Sequence, residues 1–416
     1  MTVLATGLAA PICGQDVKGP AEWLAELQKK FPPSEKNGAA EEMERLGLAL
    51  GLDWKSDSKP EEGRPSRENA EAYRRAQVGS WLDVQIKTAD DSIAAPGPRL
   101  EEFLHSHESA IARLVGALER DVPDWGFQWT EEPRRPPFIL VIWIERILLA
   151  DALASEHAGR HGDASELLEA SWSLSQSLEV RPERVSQLIA ITIAKLQIGV
   201  LRKMSEPSFE WLDRMSGETP WMRTVDSLEN DVLILTASHG PKPSGQFEDV
   251  WIRGWRAAGE RLRDVSACRS TRLTEDEIWE PVLEEMQLWK EEGVDAAQSA
   301  EVFKDISAES LVQMVRRAAR LRVDRELTAK ILFLRAEKAA ARDHRWPTRF
   351  LDTLSAACPE ASYEYQRHGE GMSIRFVGEI QDPAPSALAL PLSFQVRPPA
   401  PAKTRLTPRP AEKAGK

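Results

Sequence analysis

His157 and His161 stand four residues apart beside Glu156 and Asp163, and on a continuous helix that spacing sets two imidazoles on one face, as zinc requires. Gly159 lies inside the pair and Gly162 just after it, so the helix is expected to end there and no metal to be held. His107 falls on the apolar stripe Leu100, Phe103, Leu104, Ile111, Leu114 and Leu118, where a core histidine bonded to a carbonyl or carboxylate is expected rather than a catalytic base. Glu145 and Arg146 interrupt an otherwise apolar helix, and a charge buried there must find a partner. Ser186 and Gln187 open a later apolar run and are available as hydrogen-bond partners. With Trp172, these four residues form the candidate binding cluster. The plain expectation is a polar network that fixes helix register, and the sharper one is a ligand pocket floored by these groups.

Other patterns carry less chemistry. Glu284–Glu285 and Glu291–Glu292 resemble the paired carboxylates of a glycosidase, but neighbours on a helix diverge by about 100° and do not converge on one bond. Trp251 and Trp255 could stack on a sugar, yet their spacing is that of a core stripe. The sequence holds no Gly-rich phosphate loop, no GxSxG and no HExxH. No cofactor is implied.

The elements that must position these groups are mostly helices. Phe138 to Ile144 is apolar on every side, so its helix is expected to be surrounded, flanked by helices at Glu166 to Leu178 and Val185 to Met204. Earlier helices are predicted over Pro20–Phe31, up to Leu50 with Gly51 as its stop, Tyr73–Ile86 and Leu100–Glu119. Trp125–Pro137 reads as an irregular connector, and Asp53–Arg67 as a mobile loop. Later helices are predicted after Thr219–Pro220 up to His239–Gly240, over Phe247–Val265, behind the capping box Thr274–Glu277 with a kink or restart at Pro281, and from Ser307 to Arg342 with a division near Asp324. After Trp346–Pro347 the period changes to two. Tyr363, Tyr365, Met372, Ile374 and Phe376 alternate around a turn at His368–Gly371, and Leu388 to Val396 suggests a third strand.

The expected fold is therefore mainly α, an irregular array of packed helical hairpins with a small C-terminal antiparallel β element. Its regions are a signal-like or disordered start (1–19), an N-terminal helical region (20–135), a central helical domain (136–345), the β element (346–396) and a basic, Pro-rich, disordered tail (397–416). At 416 residues the chain exceeds what one core usually serves. A net charge of −12 argues against nucleic acid, which needs a basic face. Fourteen Trp against three Tyr suit core filling better than a binding surface. Three separated cysteines allow at most one disulfide. Glu145, Arg146 and Asp151 each cost about 2.5–3.5 kcal/mol at a bilayer centre, so Phe138–Leu153 is read as a buried helix without a membrane span. Export and cytoplasmic residence stay equally open.

Gly162, Asp163, Ala164, Ala170 and the run Leu178 to Pro182 resemble the second half of a tetratricopeptide repeat, where small residues let two helices pack closely. No second copy follows at a fixed period, so the resemblance covers one hairpin. The wider run through Ala150–Ala152, Glu169–Trp172 and Ser186–Ile189 resembles a group of uncharacterised bacterial all-helical proteins, which implies fold but no activity. The Trp346–Pro347 turn and hairpin resemble the end of pseudopilin-like chains, without their apolar N-terminal helix. The leading functional expectation is a non-enzymatic scaffold or interaction module that takes another protein or peptide. The rivals are a hydrolase with a Trp-lined cleft and Glu145 as acid–base group, and an envelope-associated structural component.

Overall fold

The structure is a computed structural model describing residues 20–52, 67–129, 135–208, 210–217, 221–228, 230, 245–291, 297–381 and 389–397. Its first half contains α1 (Pro20–Lys30), β1 (Ser34–Lys36), α2 (Gly38–Ala49), α3 (Arg67–Ile86), α4 (Pro98–Arg120), β2 (Trp125–Phe127), α5 (Phe138–His157), α6 (His161–Glu179) and α7 (Arg184–Leu201). There follow α8 (Glu210–Ser216), α9 across 221–228, α10 (Gly245–Arg263), α11 (Ala267–Ser270), α12 (Glu275–Glu291) and α13 (Ala297–Ala340). The chain ends in β3 (Ser362–His368), β4 (Gly371–Val377) and β5 (Ser393–Val396), an antiparallel sheet in that order. The fold is thus mainly α with a small C-terminal sheet. The expectations for residues 1–19, the loop at 53–66, the cap at Thr219–Pro220, the stop at His239–Gly240, the side chain of Trp251 and the tail from 398 onward lie outside the described residues.

Helix α5 packs against α2, α3, α6 and α7. Leu140, Val141, Ile144, Ile147 and Leu148 are buried by those neighbours. The cover is not complete, which corrects the expectation of an all-round sheath. Ile139 is 69% exposed and Trp143 only partly buried, because the face of α5 that carries Ile139, Ile142, Trp143 and Arg146 borders a shallow hollow with Gly79, Ser80 and Asp83 of α3. Truncating Trp143 should therefore cost less than the roughly 3–5 kcal/mol of a fully buried tryptophan. Gly159, at φ +77°, ends α5 and turns the chain into α6, in the left-handed conformation that suits glycine.

Two short strands escape the periodicity argument. Ser34 and Lys36 of β1 pair with Phe127 and Trp125 of β2, so the segment expected to be irregular opens with a strand. Three residues are too few for an alternating pattern to register. What holds β2 is tertiary: the Trp125 indole donates to Ser177 Oγ at 3.0 Å, and Arg181 donates to the Gly126 carbonyl at 2.9 Å.

Helix α13 runs unbroken for 44 residues and starts at Ala297, not at Ser307, so the division expected near Asp324 does not occur. Asp324 interrupts the apolar pattern yet is fully buried, with its carboxylate 3.6 Å from Arg202 and 3.4 Å from Arg320. Burial pushes the Arg202 guanidinium down to about 10, so it remains charged at neutral pH and still needs its counter-ion. Helix α12 likewise passes through Pro281 without a restart, and its capping box forms as expected: Thr274 N donates to Glu277 at 2.7 Å, and Glu277 N to Thr274 Oγ1 at 3.3 Å.

The β element is tied to the helices at several points. In the hairpin, Tyr363 pairs with Phe376 and His368 with Gly371. The third strand covers Ser393–Val396 only, shorter than the alternation from Leu388 suggested. The Leu390 and Pro391 carbonyls turn to Arg320 and Arg202, at 2.6 and 2.8 Å. Gln395 N reaches back to Ala89 O at 2.8 Å, and Cys268 is joined to Cys358.

Candidate functional site

The five residues of the predicted cluster fall into four separate places. Glu145 is sealed within the α5–α6–α7 interface, where it accepts from Ser171 Oγ, which in turn accepts from Gln197 Nε2 at 2.9 Å. Arg146, one residue on, points about 100° away and pairs with Asp83 of α3 at 3.2 Å. Trp172 makes an edge contact with Trp211 of α8, and the Arg214 guanidinium lies over both rings at 5.3 and 4.7 Å. Gln187 donates to the carbonyls of Leu178, Glu179 and Arg181, satisfying the end of α6. Beside it, Ser186 donates to Glu183 at 3.4 Å, and Glu183 pairs with Arg181. These are helix-locking contacts, and among the described residues Glu145 and Gln187 are buried while Arg146 borders the hollow against α3, so the three are not gathered.

Sequence reasoning missed Gln197 and Ser171 as the partners of Glu145. The usable signal was Gln197 itself, a polar residue inside the apolar run of α7, just as Glu145 is in α5. Burial holds the Glu145 carboxyl well above its usual 4.5, against the lowering pull of Ser171. A neutral carboxyl also supplies an O–H to a cluster whose two unsatisfied oxygens, Glu145 Oε1 and Gln197 Oε1, both lack a donor. On the same helix, burial pushes Asp151 up to about 6. Raised carboxyl values mean stability that is intact below the unfolded values and lost as pH rises through the folded ones. Glu145→Gln should therefore leave the melting temperature unchanged near about pH 4.5 and raise it at about pH 8, since each tenfold difference in proton affinity between folded and unfolded chain is worth about 1.4 kcal/mol. A variant less stable than the parent across the whole range would show that Glu145 is ionised in the fold.

The two spaced histidines end on different helices, because Gly159 turns the chain between them. His161 Nδ1 lies 2.9 Å from Glu156, and Glu156 accepts from both the amide and hydroxyl of Ser205, at 2.8 and 2.6 Å. The hydrogen bond to Glu156 lifts His161 above its usual value; despite burial, His161 and Ser205 hold Glu156 below its own. Ser, His and Glu thus meet, but not as a nucleophilic triad. The Ser205 proton goes to the carboxylate, and serine and glutamate both approach the same imidazole nitrogen, Nδ1. Among the described residues no group of three His, Cys, Asp or Glu could hold a metal ion. His107 is half-buried at the edge of its stripe, not within the core, and its Nδ1 lies 2.8 Å from the Phe103 carbonyl, as expected.

One concave feature that the helices do build lies along α13. One side is formed by Leu212 and Met215 of α8 and Trp221 of α9, and the floor by Leu321 and Ala329 of α13, enclosing about 440 Å³. The far wall is the loop at 352–357, which Glu326 fixes by accepting from Ser355 Oγ at 2.6 Å, Ala356 N at 2.7 Å, Ala357 N at 3.2 Å and Tyr363 OH at 3.2 Å. Lys330 adds an ion pair to Asp352 at 2.6 Å, with its ammonium over the Tyr363 ring. The loop is rigidly held, yet it carries Leu354 at 73% exposure, with Leu351 at 91% nearby and Phe333 of α13 at 41%. No single segment of sequence announces this groove.

Helix α7 is the one described helix with the length and apolarity to cross a membrane, and 72% of it is buried inside the protein. Comparison with known protein families, with characterised proteins and with solved structures finds no match to the chain.

Proposed function

We propose that the protein is a non-enzymatic helical scaffold whose α13 groove takes an apolar segment of a partner polypeptide. One observation carries this reading: Phe333 and Leu354 are large, exposed and both line a groove whose wall is clamped by Glu326. Exposed apolar side chains cost nothing when scattered, but a group of them beside a preformed concavity favours a binding site. A short amphipathic helix with two or three apolar anchors is the partner we assign to it. The sealing of Glu145 in the helical core favours binding over a hydrolase built on that carboxyl. The buried Cys268–Cys358 disulfide supports oxidising surroundings as the place of work.

Panning the full-length protein against a library of displayed peptides tests the proposal. Selected peptides should share apolar residues at helical spacing, and Leu354→Asp with Phe333→Asp should weaken them at least about tenfold while the melting temperature holds. Enrichment of peptides that bind the double variant equally would move the site elsewhere. Turnover of ester, peptide or glycoside substrates that is lost in Glu145→Gln would replace the scaffold reading with the hydrolase.

A further inference from the structure

A second cavity, also about 440 Å³, lies away from the α13 groove, where the ends of α5, α7 and α13 meet the β element. Two of its charged residues are already committed. Lys203 is buried and donates to the Thr88, Asp90 and Ser92 carbonyls while pairing with Asp90 at 3.6 Å. Glu156 is taken up by His161 and Ser205. The wall also carries Arg335, Lys338, His157 and His344, opposed by Asp91 and Glu206.

Arg335 is the best prepared of these. It donates Nη1 to the Leu201 and Met204 carbonyls and Nη2 to the Arg202 carbonyl, capping the end of α7, and its guanidinium lies over the Phe394 ring at 5.4 Å. A guanidinium has five N–H donors. These three contacts leave Nε–H and one Nη2–H, adjacent donors in the fork arrangement that matches two oxygens of one anion. Arg335 is half-buried and forms no salt bridge among the described residues; burial pushes it down to about 10, against the raising pull of the Asp91 and Glu156 charges farther off. One turn along α13, Lys338 is held over the Trp346 ring at 4.7 Å.

His344 supplies an independent observation. It is the one described non-glycine residue in the left-handed region, at φ +50°, and it lies at the lining of this same cavity. Strained backbone of that kind is retained where the side chain must be aimed, and it gathers at ligand sites. The remaining wall is apolar, formed by Ile93, Ala339, Trp346 and Val396.

We infer that this cavity binds a small organic anion, its carboxylate or phosphate group held by the open edge of Arg335 with Lys338 and His344, and its short hydrocarbon body against Ile93 and Val396. Asp91 and Glu206 exclude larger polyanions and favour a singly or doubly charged ligand. This site is separate from the peptide groove, so either assignment can fail without the other.

Isothermal titration of the full-length protein with succinate, butyrate and inorganic phosphate, in low-chloride buffer, tests the inference. Saturable binding of at least one probe at a Kd below about 1 mM is expected. Lys338→Glu and His344→Gly should each weaken it at least about tenfold, with the melting temperature of the unliganded variants within a degree or so of the parent or, for His344→Gly, above it. A preference for the carboxylates identifies an organic acid, and a preference for phosphate identifies a phosphorylated ligand. Absence of heat at about 10 mM of every probe, or binding equally strong in Lys338→Glu, would overturn the site.

Discussion

Replacing Cys268 and Cys358 together by alanine should lower stability by about 4–5 kcal/mol, the loop-closure entropy of a 90-residue loop. Both cysteines are fully buried, and the bond joins α11 to the turn that precedes β3. The same turn contributes Leu354 to the groove wall and is gripped by Glu326 through the amides of Ala356 and Ala357. For a chain of this length the loss corresponds to roughly 5 °C in melting temperature if the molecule unfolds as a unit. Peptide binding in the groove should weaken alongside, because its wall would lose one of its anchors. Mapping under non-reducing conditions should recover Cys268 linked to Cys358. A double variant that melts with the parent would mean that Glu326 and the Arg202 and Arg320 contacts suffice to dock the β element.

Asp324→Ala should be almost as damaging, at about 3–5 kcal/mol, the range for breaking a buried ion pair from one side. Asp324 is the counter-ion for both Arg202 and Arg320, and each arginine also donates to the β element, at Pro391 O and Leu390 O. Removing the carboxylate takes from Arg202 and Arg320 the counter-ion that they share. Arg202 would still meet Thr328 Oγ1 at 2.9 Å, which does not offset its charge. Asp324→Asn separates the parts of the effect: it keeps the volume and removes the charge, so most of the loss should persist. Chemical denaturation read by tryptophan fluorescence measures both variants. A loss under about 1 kcal/mol for either would show that water reaches the arginines and screens them.

The helical class is legible in the amino-acid sequence, because apolar residues recur at helical spacing from Leu100 to Leu118 and saturate the run from Phe138. The hairpin around Gly369 and Glu370 is equally legible from its alternation. Single polar residues within apolar runs are a true signal of buried contacts, and Glu145, Gln197 and Asp324 all carry them. Their partners are not legible. Asp324 looks like a break in a helix because sequence cannot tell a solvent-facing aspartate from one neutralised by arginines, and Arg202 lies 122 residues away.

The candidate cluster failed for a related reason. Periodicity places a residue on a face of its own helix, but two faces meet only when crossing angles and helix ends are fixed. Glu145 and Arg146 are neighbours in sequence and belong to different contacts in space. The peptide groove and the anion cavity are each assembled from several elements, including α8, α13 and the β element, so no local pattern contains them. Sequence by itself determined the helices, their buried faces and the late switch to strands, since those follow from local backbone preference and apolar spacing. Only the tertiary structure decided which polar groups are neutralised and which are left facing a cavity, because charge pairing and desolvation depend on atoms brought together across more than a hundred residues.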